Sequence, residues 1–510
     1  MSESGMSETV TAADLRRTAQ ARQSAGRWDE ATRLYQRAVT ADPFDPVGWV
    51  ALADCLLLGR RPEAALRACD DGLTRLPASP SLYCAKARVL QSLSRVGEAR
   101  VALQQALAID PGGAEARFGL ARLAAEAGDW DGAATIAAPL LALAAPGARI
   151  DWLAARIALG NGDLSAAVER SARALQTPGL APDQQAEAAL LMGEALDGLG
   201  RAAEAFQAFS RGKAALRGFY AARAAGRESE VEKLGRLATW FRAADPAPWR
   251  ATPPASAGGH AFLVGFPRSG TTLLEQALAG HPDVAALEEA PTFADAYAEF
   301  MSSPEGLQRL AHLSAGEAEH WRAVYWRVVA DHGVETEGKL FLDKAPAGTL
   351  YLPLVAKLFP AARVLFAVRD PRDVVLSCFR SSFQMNALTY AFTDLVETTR
   401  CYAATMDLAE VYRDLLPIQP LEVRYERLVD AFEAGLARIA AFLGIEVTPG
   451  MLDVAATASR HVVRTPSAPQ VRAGLNRLGL GRWRAYQAEL APVSAILAPW
   501  LERFGYGGEG

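Results

Sequence analysis

Nowhere does the chain hold an uncharged apolar run of the 18 or so residues that would span a bilayer, and its first stretch, MSESGMSETVTAADLRR, is polar. Neither a membrane helix nor a signal peptide is expected, and the sequence reads as soluble and cytoplasmic. Cysteine is scarce: Cys55, Cys69, Cys84, Cys378 and Cys401 form no CxxC pair, which suits reduced, structural thiols of a cytosolic protein. The six histidines show no HExxH or other paired-ligand spacing, and no G-x-S-x-G elbow occurs. Metalloprotease and hydrolase readings fall away, and no metal is expected. Neither sign of charge dominates, with 53 Lys and Arg against 58 Asp and Glu for a net charge of -5. That balance excludes a broadly basic nucleic-acid binder, so any anion site must be local.

What is present is a chain of 510 residues, half of them apolar, too long for one hydrophobic core and therefore expected to form two or more folding units. A phrase recurs through its first 210 residues: AGRWDEA at 25–31, LGRRPEA at 58–64, AGDWDGA at 127–133, GNGDLSAA at 160–167 and LGRAAEA at 199–205. Pro43, Pro77 and Pro111 are each 34 residues apart, as are Gly128 and Gly162, while Ala31, Ala64, Ala99 and Ala133 recur at 33 to 35. Gly permits a turn between paired helices, Ala lets them pack closely, and Pro ends the second helix of a pair. The period resembles the tetratricopeptide repeat, which implies an all-α solenoid whose concave side is a groove for a protein partner. Trp28, Trp49, Trp130 and Trp152 are assigned to its core. The expected organisation is a polar segment at 1–21, a repeat array at 22–243, a linker rich in Pro, Ala and Gly at 244–259, and a second domain at 260–505.

That domain opens with AFLVGFPRSGTTLLEQALAGHPDV: an apolar strand at 261–264, a Gly-rich turn at 265–270 and a helix from Thr271. Strand, loop and helix in this order aim backbone N–H groups and a helix N-terminus at a phosphate. Gly265 and Gly270 have P-loop spacing, but Thr271 stands where nucleotide triphosphatases place Lys, and Arg268 offers a cation from inside the loop. Without that Lys, ATP is a poor fit as donor. About 100 residues later comes RVLFAVRDPRDVVLSCFR, with a strand at 363–368, Arg369 at its end and Ser377 in an early turn of the next helix. Both side chains can meet one anion at the carboxyl edge of a parallel sheet.

Over 260 to about 490 the sequence resembles the sulfotransferases that use 3′-phosphoadenosine 5′-phosphosulfate (PAPS). The likeness is to the tyrosylprotein branch and to bacterial proteins that join such a domain to tetratricopeptide repeats; PRSGTTL at 267–273 carries it most specifically. The resemblance implies an α/β domain with a mainly parallel sheet and a P-loop-like donor site. It also implies that Arg268, Ser269, Gly270, Thr271 and Thr272 grip the 5′-phosphosulfate, while Arg369 and Ser377 grip the 3′-phosphate. RTPSAPQVRAGLNRLGLGRW resembles the family's nucleotide-covering segment, placing Ser467 near the sulfuryl group and Arg482 at the 3′-phosphate, though Gly474 stands where a Pro is usual. Arg372 and Arg380 stay open between phosphate contact and solvated helix face.

Sulfuryl transfer to a hydroxyl needs a carboxylate to take the acceptor's proton and a donor for the charge growing on the leaving oxygen. Glu289 matches the family's base, with Glu288 beside it; adjacent residues of an extended chain point to opposite sides, so one of the two is expected to face the acceptor. Lys344, after an apolar strand at 339–342, matches the group beside the bridging oxygen, with Ser467 as a second donor. Animal tyrosylprotein sulfotransferases place an Arg two residues beyond the base for acidic peptides; Pro291 stands there, so the acceptor is expected to differ. The expected activity is sulfuryl transfer to a hydroxyl, protein tyrosine among the candidates, with the repeats recruiting the acceptor or a partner. Two rivals are a P-loop kinase and a repeat scaffold with a non-catalytic nucleotide-binding domain.

Overall fold

A computed structural model describes residues 10–143, 145, 147–250, 259–460 and 474–508. Contacts divide the chain into two units, Met1–Gln184 and Gln185–Gly510. The first is built from five helix pairs: α1 (Ala12–Ser24) with α2 (Trp28–Ala41), α3 (Pro46–Leu58) with α4 (Pro62–Arg75), α5 (Pro80–Ser92) with α6 (Val96–Ile109), α7 (Ala114–Glu126) with α8 (Trp130–Leu141), and α9 (Ala148–Gly160) with α10 (Leu164–Gln176). The array starts earlier than the expected residue 22, because Thr11 and Asp14 form a capping box and Leu15 and Ala19 are buried.

The turn inside each pair needs one left-handed residue, supplied by Gly26, Arg60, Ser94, Gly128 and Gly162, each 34 positions after the last. In LGRRPEA the glycine is one position early, so Arg60 takes φ +59° instead. Close helix packing rests on alanine: Ala31, Ala65, Ala99, Ala133 and Ala167 are fully buried. Trp49 and Trp152 join the core as expected, Trp130 is half-buried, and Trp28 is exposed, contrary to its assignment to the core.

The second unit begins inside the first turn of α11 (Pro182–Gly198) and continues with α12 (Ala202–Ala224), α13 (Glu230–Ala243) and α14 (Pro246–Arg250). Its sheet has five parallel strands, β1 (His260–Val264), β2 (Val284–Glu288), β3 (Leu340–Lys344), β4 (Arg363–Val368) and β5 (Leu421–Arg424), in the order β2-β3-β1-β4-β5. Alternation sends Phe262, Val264, Phe341 and Phe366 to one face and Ala261, Leu263, Leu342 and Leu365 to the other. Both faces are covered, as a parallel sheet requires. Helix α15 (Thr271–Ala279) and the helix Phe432–Leu443 pack on the second face; α13 and the helix Leu395–Leu415 pack on the first.

Leu234, Leu237, Phe241 and Trp249 lie in that same first-face core. The stretch assigned to the array up to 243, and the start of the linker at 244–259, therefore belong to the second unit; residues 251–258 lie outside the description. The Pro and Ala of DPAPW hid an aromatic anchor: Trp249 is 1% exposed, meets Trp240 edge-on and packs at a tilt against Phe241. Among the described residues no helix is long and apolar enough to cross a membrane.

Candidate active site

The carboxyl ends of β3, β1 and β4 are neighbours at the middle of the sheet, and the connection from β1 runs towards the β2 edge while that from β4 runs towards the β5 edge, the reversal at which open parallel sheets place ligands. Gly265 has φ +152° and the oxygen of Ala367 lies 2.6 Å from where a Cβ would stand; Gly270 has φ +94° and such a Cβ would collide with the Tyr425 ring. Only glycine fits either place, and the turn between them delivers the chain to the N-terminus of α15. Ser269, Thr271 and Thr272 are buried there. Arg268 is itself left-handed at φ +70°, and its Nε donates to Ser377 Oγ at 2.9 Å. Burial, with Arg369 and Arg380 adding to it, draws the Arg268 guanidinium down to about 10, so it stays cationic at neutral pH.

Arg369 follows β4 and is 7% exposed. Its Nη1 donates to the Arg268 carbonyl at 3.0 Å, its Nη2 donates to the Gly479 carbonyl, and its guanidinium lies 4.9 Å from the Tyr425 ring centre. Its Nε is buried with no hydrogen-bond partner among the described residues. The loop cation, the strand-end cation and Ser377 thus form one contiguous cluster. Asp373, on the helix Pro371–Arg380, accepts from Gly481 N at 2.8 Å and Trp483 N at 2.9 Å, holding the backbone on either side of Arg482. Of the two open arginines, Arg372 pairs with Asp370 at 2.7 Å and stacks 3.5 Å from the Trp483 ring centre, while Arg380 pairs with Asp197 at 2.5 Å. Arg482 pairs with Asp197 too. Ser467 lies outside the described residues.

Lys344 is the last residue of β3, one position inside the strand rather than beyond it, and is fully buried. Its Nζ lies 2.9 Å from Glu289, 3.1 Å from Glu288 and 3.3 Å from Glu275. Adjacent Glu288 and Glu289 were expected to face opposite ways. Both reach Lys344 because Glu289 leaves the strand at φ +50°, which turns its side chain back to the side Glu288 occupies. Burial would depress the Lys344 ammonium, but the three carboxylates outweigh it and raise its pKa. Burial pushes Glu275 up to about 7 against the pull of Lys344. Behind this group Asp343 accepts from Tyr325 at 2.7 Å and Thr292 at 2.8 Å, and burial raises its carboxyl to about 6.

Sequence reasoning missed Glu275, Asp197 and Asp373. For Glu275 a signal was present: a carboxylate among the apolar residues of TTLLEQALA, on a helix buried along nearly its whole length.

A family model described as "Sulfotransferase family" matches residues 261–449, and two tetratricopeptide repeat models match residues 16–80 and 92–157. An uncharacterized protein of Aquifex aeolicus is 29% identical over 246 residues, covering 46% of this chain but only 32% of its own length. Protein-tyrosine sulfotransferase 1 of Danio rerio is 28% identical over 261 residues, covering 48% of this chain and 71% of that one. Among solved structures, the sulfotransferase domain of the Synechococcus PCC 7002 olefin synthase is 22% identical, covering 47% of this chain and 98% of that one with a TM-score of 0.29. The chain is thus a multidomain protein in which helical tetratricopeptide repeats precede a sulfotransferase-family domain with a five-stranded parallel sheet.

Proposed function

We propose that the chain transfers a sulfuryl group from PAPS to a hydroxyl of a peptide or protein acceptor, with tyrosine the first acceptor to test. The observation that carries the reading is the placement, on neighbouring strand ends, of a phosphate-type cluster (Arg268, Arg369, Ser377) beside a buried lysine ringed by carboxylates. The residues present suit a bisphosphorylated nucleotide: the unpartnered Nε of Arg369 is an unfilled anion donor, and the Gly265–Gly270 turn carries the chain into the N-terminus of α15, a helix end that favours an anion.

PAPS supplies an electrophilic sulfur on a phosphate leaving group. In this reading Arg268, Ser269, Gly270, Thr271 and Thr272 hold its 5′ end, and Arg369, Ser377 and Arg482 hold its 3′-phosphate. Arg268 releases Ser377 to do so. Glu289 takes the acceptor's proton as the new O–S bond forms, and Lys344 faces the oxygen that inherits charge as the old S–O bond breaks. Ser467 is the second donor. The repeats recruit the acceptor or a partner in their groove. A cytoplasmic setting is supported by five free, buried cysteines.

The test incubates pure protein with sulfur-labelled PAPS and cell extract and separates proteins from small molecules, for wild type and Glu289→Gln. Label on protein from wild type alone is expected. No transfer by wild type overturns the reading, and undiminished transfer by the variant overturns the choice of base.

A further inference from the structure

Asp197 stands near the end of α11, a helix that the repeat period counts with the array, yet its partners all lie in the nucleotide-site segments of the second unit. Its Oδ2 accepts from Arg380 at 2.5 Å and from Arg482, and its Oδ1 accepts from the Tyr486 hydroxyl at 2.5 Å. The carboxylate is 8% exposed, so it is held there by a built contact rather than by a chance surface pairing.

The rest of the helical hairpin reinforces that placement. Phe206 on α12 packs on Phe379 and Tyr486, with ring centres 5.4 and 6.4 Å apart, and Arg380 lies over Phe209. Lys213, 2% exposed, donates to the carbonyl of Ser381 at 2.6 Å, capping the helix that carries Ser377. One carboxylate shared by two guanidiniums leaves a net positive charge. Each arginine gives Asp197 only an Nη2, and neither guanidinium has another hydrogen-bond partner among the described residues.

We propose that Asp197 is a positioning residue of the donor site: it holds Arg380 and Arg482 as a preset basic pair that recognises the 3′-phosphate. The proposal rests on the PAPS reading of the same cluster. It makes the last helical hairpin a working part of the transferase, and it gives Arg380 a role in donor selectivity that the helix position alone left open. Fixing two long side chains before the ligand arrives removes the ordering cost they would otherwise meet on binding.

The test is calorimetry on the full chain with adenosine 3′,5′-bisphosphate and with AMP, which lacks the 3′-phosphate, for wild type and Asp197→Asn. A loss of about tenfold in affinity for the bisphosphate, with AMP unchanged, is the expected result. Unchanged or tighter bisphosphate binding, or equal weakening of both nucleotides, overturns the proposal. A wild type that binds neither nucleotide, or both alike, overturns the donor reading and the proposal with it. If Asp197→Asn does not fold, Tyr486→Phe frees Oδ1 without touching either arginine; it is expected to narrow the preference for the bisphosphate at least twofold, and an unchanged preference refutes the idea.

Discussion

Replacing Glu275 by Gln should make the protein more resistant to unfolding above neutral pH while leaving it nearly unchanged near pH 5. In the folded state burial raises the Glu275 carboxyl from an ordinary 4.5 to about 7, so between those values the native protein binds a proton that the unfolded chain has already released. Stability then falls as pH rises through that window, because the unfolded state binds fewer protons. At about 1.4 kcal/mol per pH unit, the wild type should lose about 2.5 kcal/mol relative to the variant between pH 5 and pH 8. Gln keeps an oxygen to accept from Lys344, and Glu288 and Glu289 still balance the ammonium, so no buried charge is stranded. The assay is urea unfolding of both proteins at pH 5, 6, 7 and 8, followed on the transition of the second unit; groups common to both proteins cancel in the difference. Stability curves that run parallel across the range would refute the account of Glu275.

Arg369→Ala should weaken binding of adenosine 3′,5′-bisphosphate by about 1.5 to 3 kcal/mol, as for a lost charge-assisted contact, and unchanged affinity in calorimetry would refute its role. Gly265→Ala should destabilise the second unit by about 1 to 3 kcal/mol, since it adds a Cβ at φ +152° against the Ala367 carbonyl; an unshifted melting temperature would contradict the cradle. Removing residues 1–184 should leave nucleotide binding intact, whereas removing 1–240 should leave an insoluble or molten product because it takes Leu234 and Leu237 from under the sheet. A well-folded product of the deeper truncation would refute that division.

Much of the fold was legible because its signals are local. Apolar runs at 261–264 and 363–368 are strands because a doubly covered sheet buries both faces, and the 34-residue period survives every change of side chain around it. The boundary between the units was not legible. LGRAAEA continues the repeat phrase into α12 although that hairpin makes its contacts elsewhere, and no composition rule distinguishes Trp249 in a Pro-rich stretch from a residue of a linker. The candidate site was legible as motifs but not as geometry. Alternation along a strand failed at Glu289, where one left-handed residue overrode it, and Asp197 came into the site from a segment whose pattern spoke only of helix packing.

The left-handed turn of the repeats has a mechanical corollary. Arg60 and Ser94 carry a Cβ where Gly26, Gly128 and Gly162 do not, and each such side chain costs on the order of 1 kcal/mol. A stacked array is as strong as the sum of its copies and their shared surfaces, so this penalty falls on two consecutive rungs rather than being spread along the ladder. A pull on the solenoid, or a protease sampling its fluctuations, meets less resistance at those two rungs than their core packing alone would set.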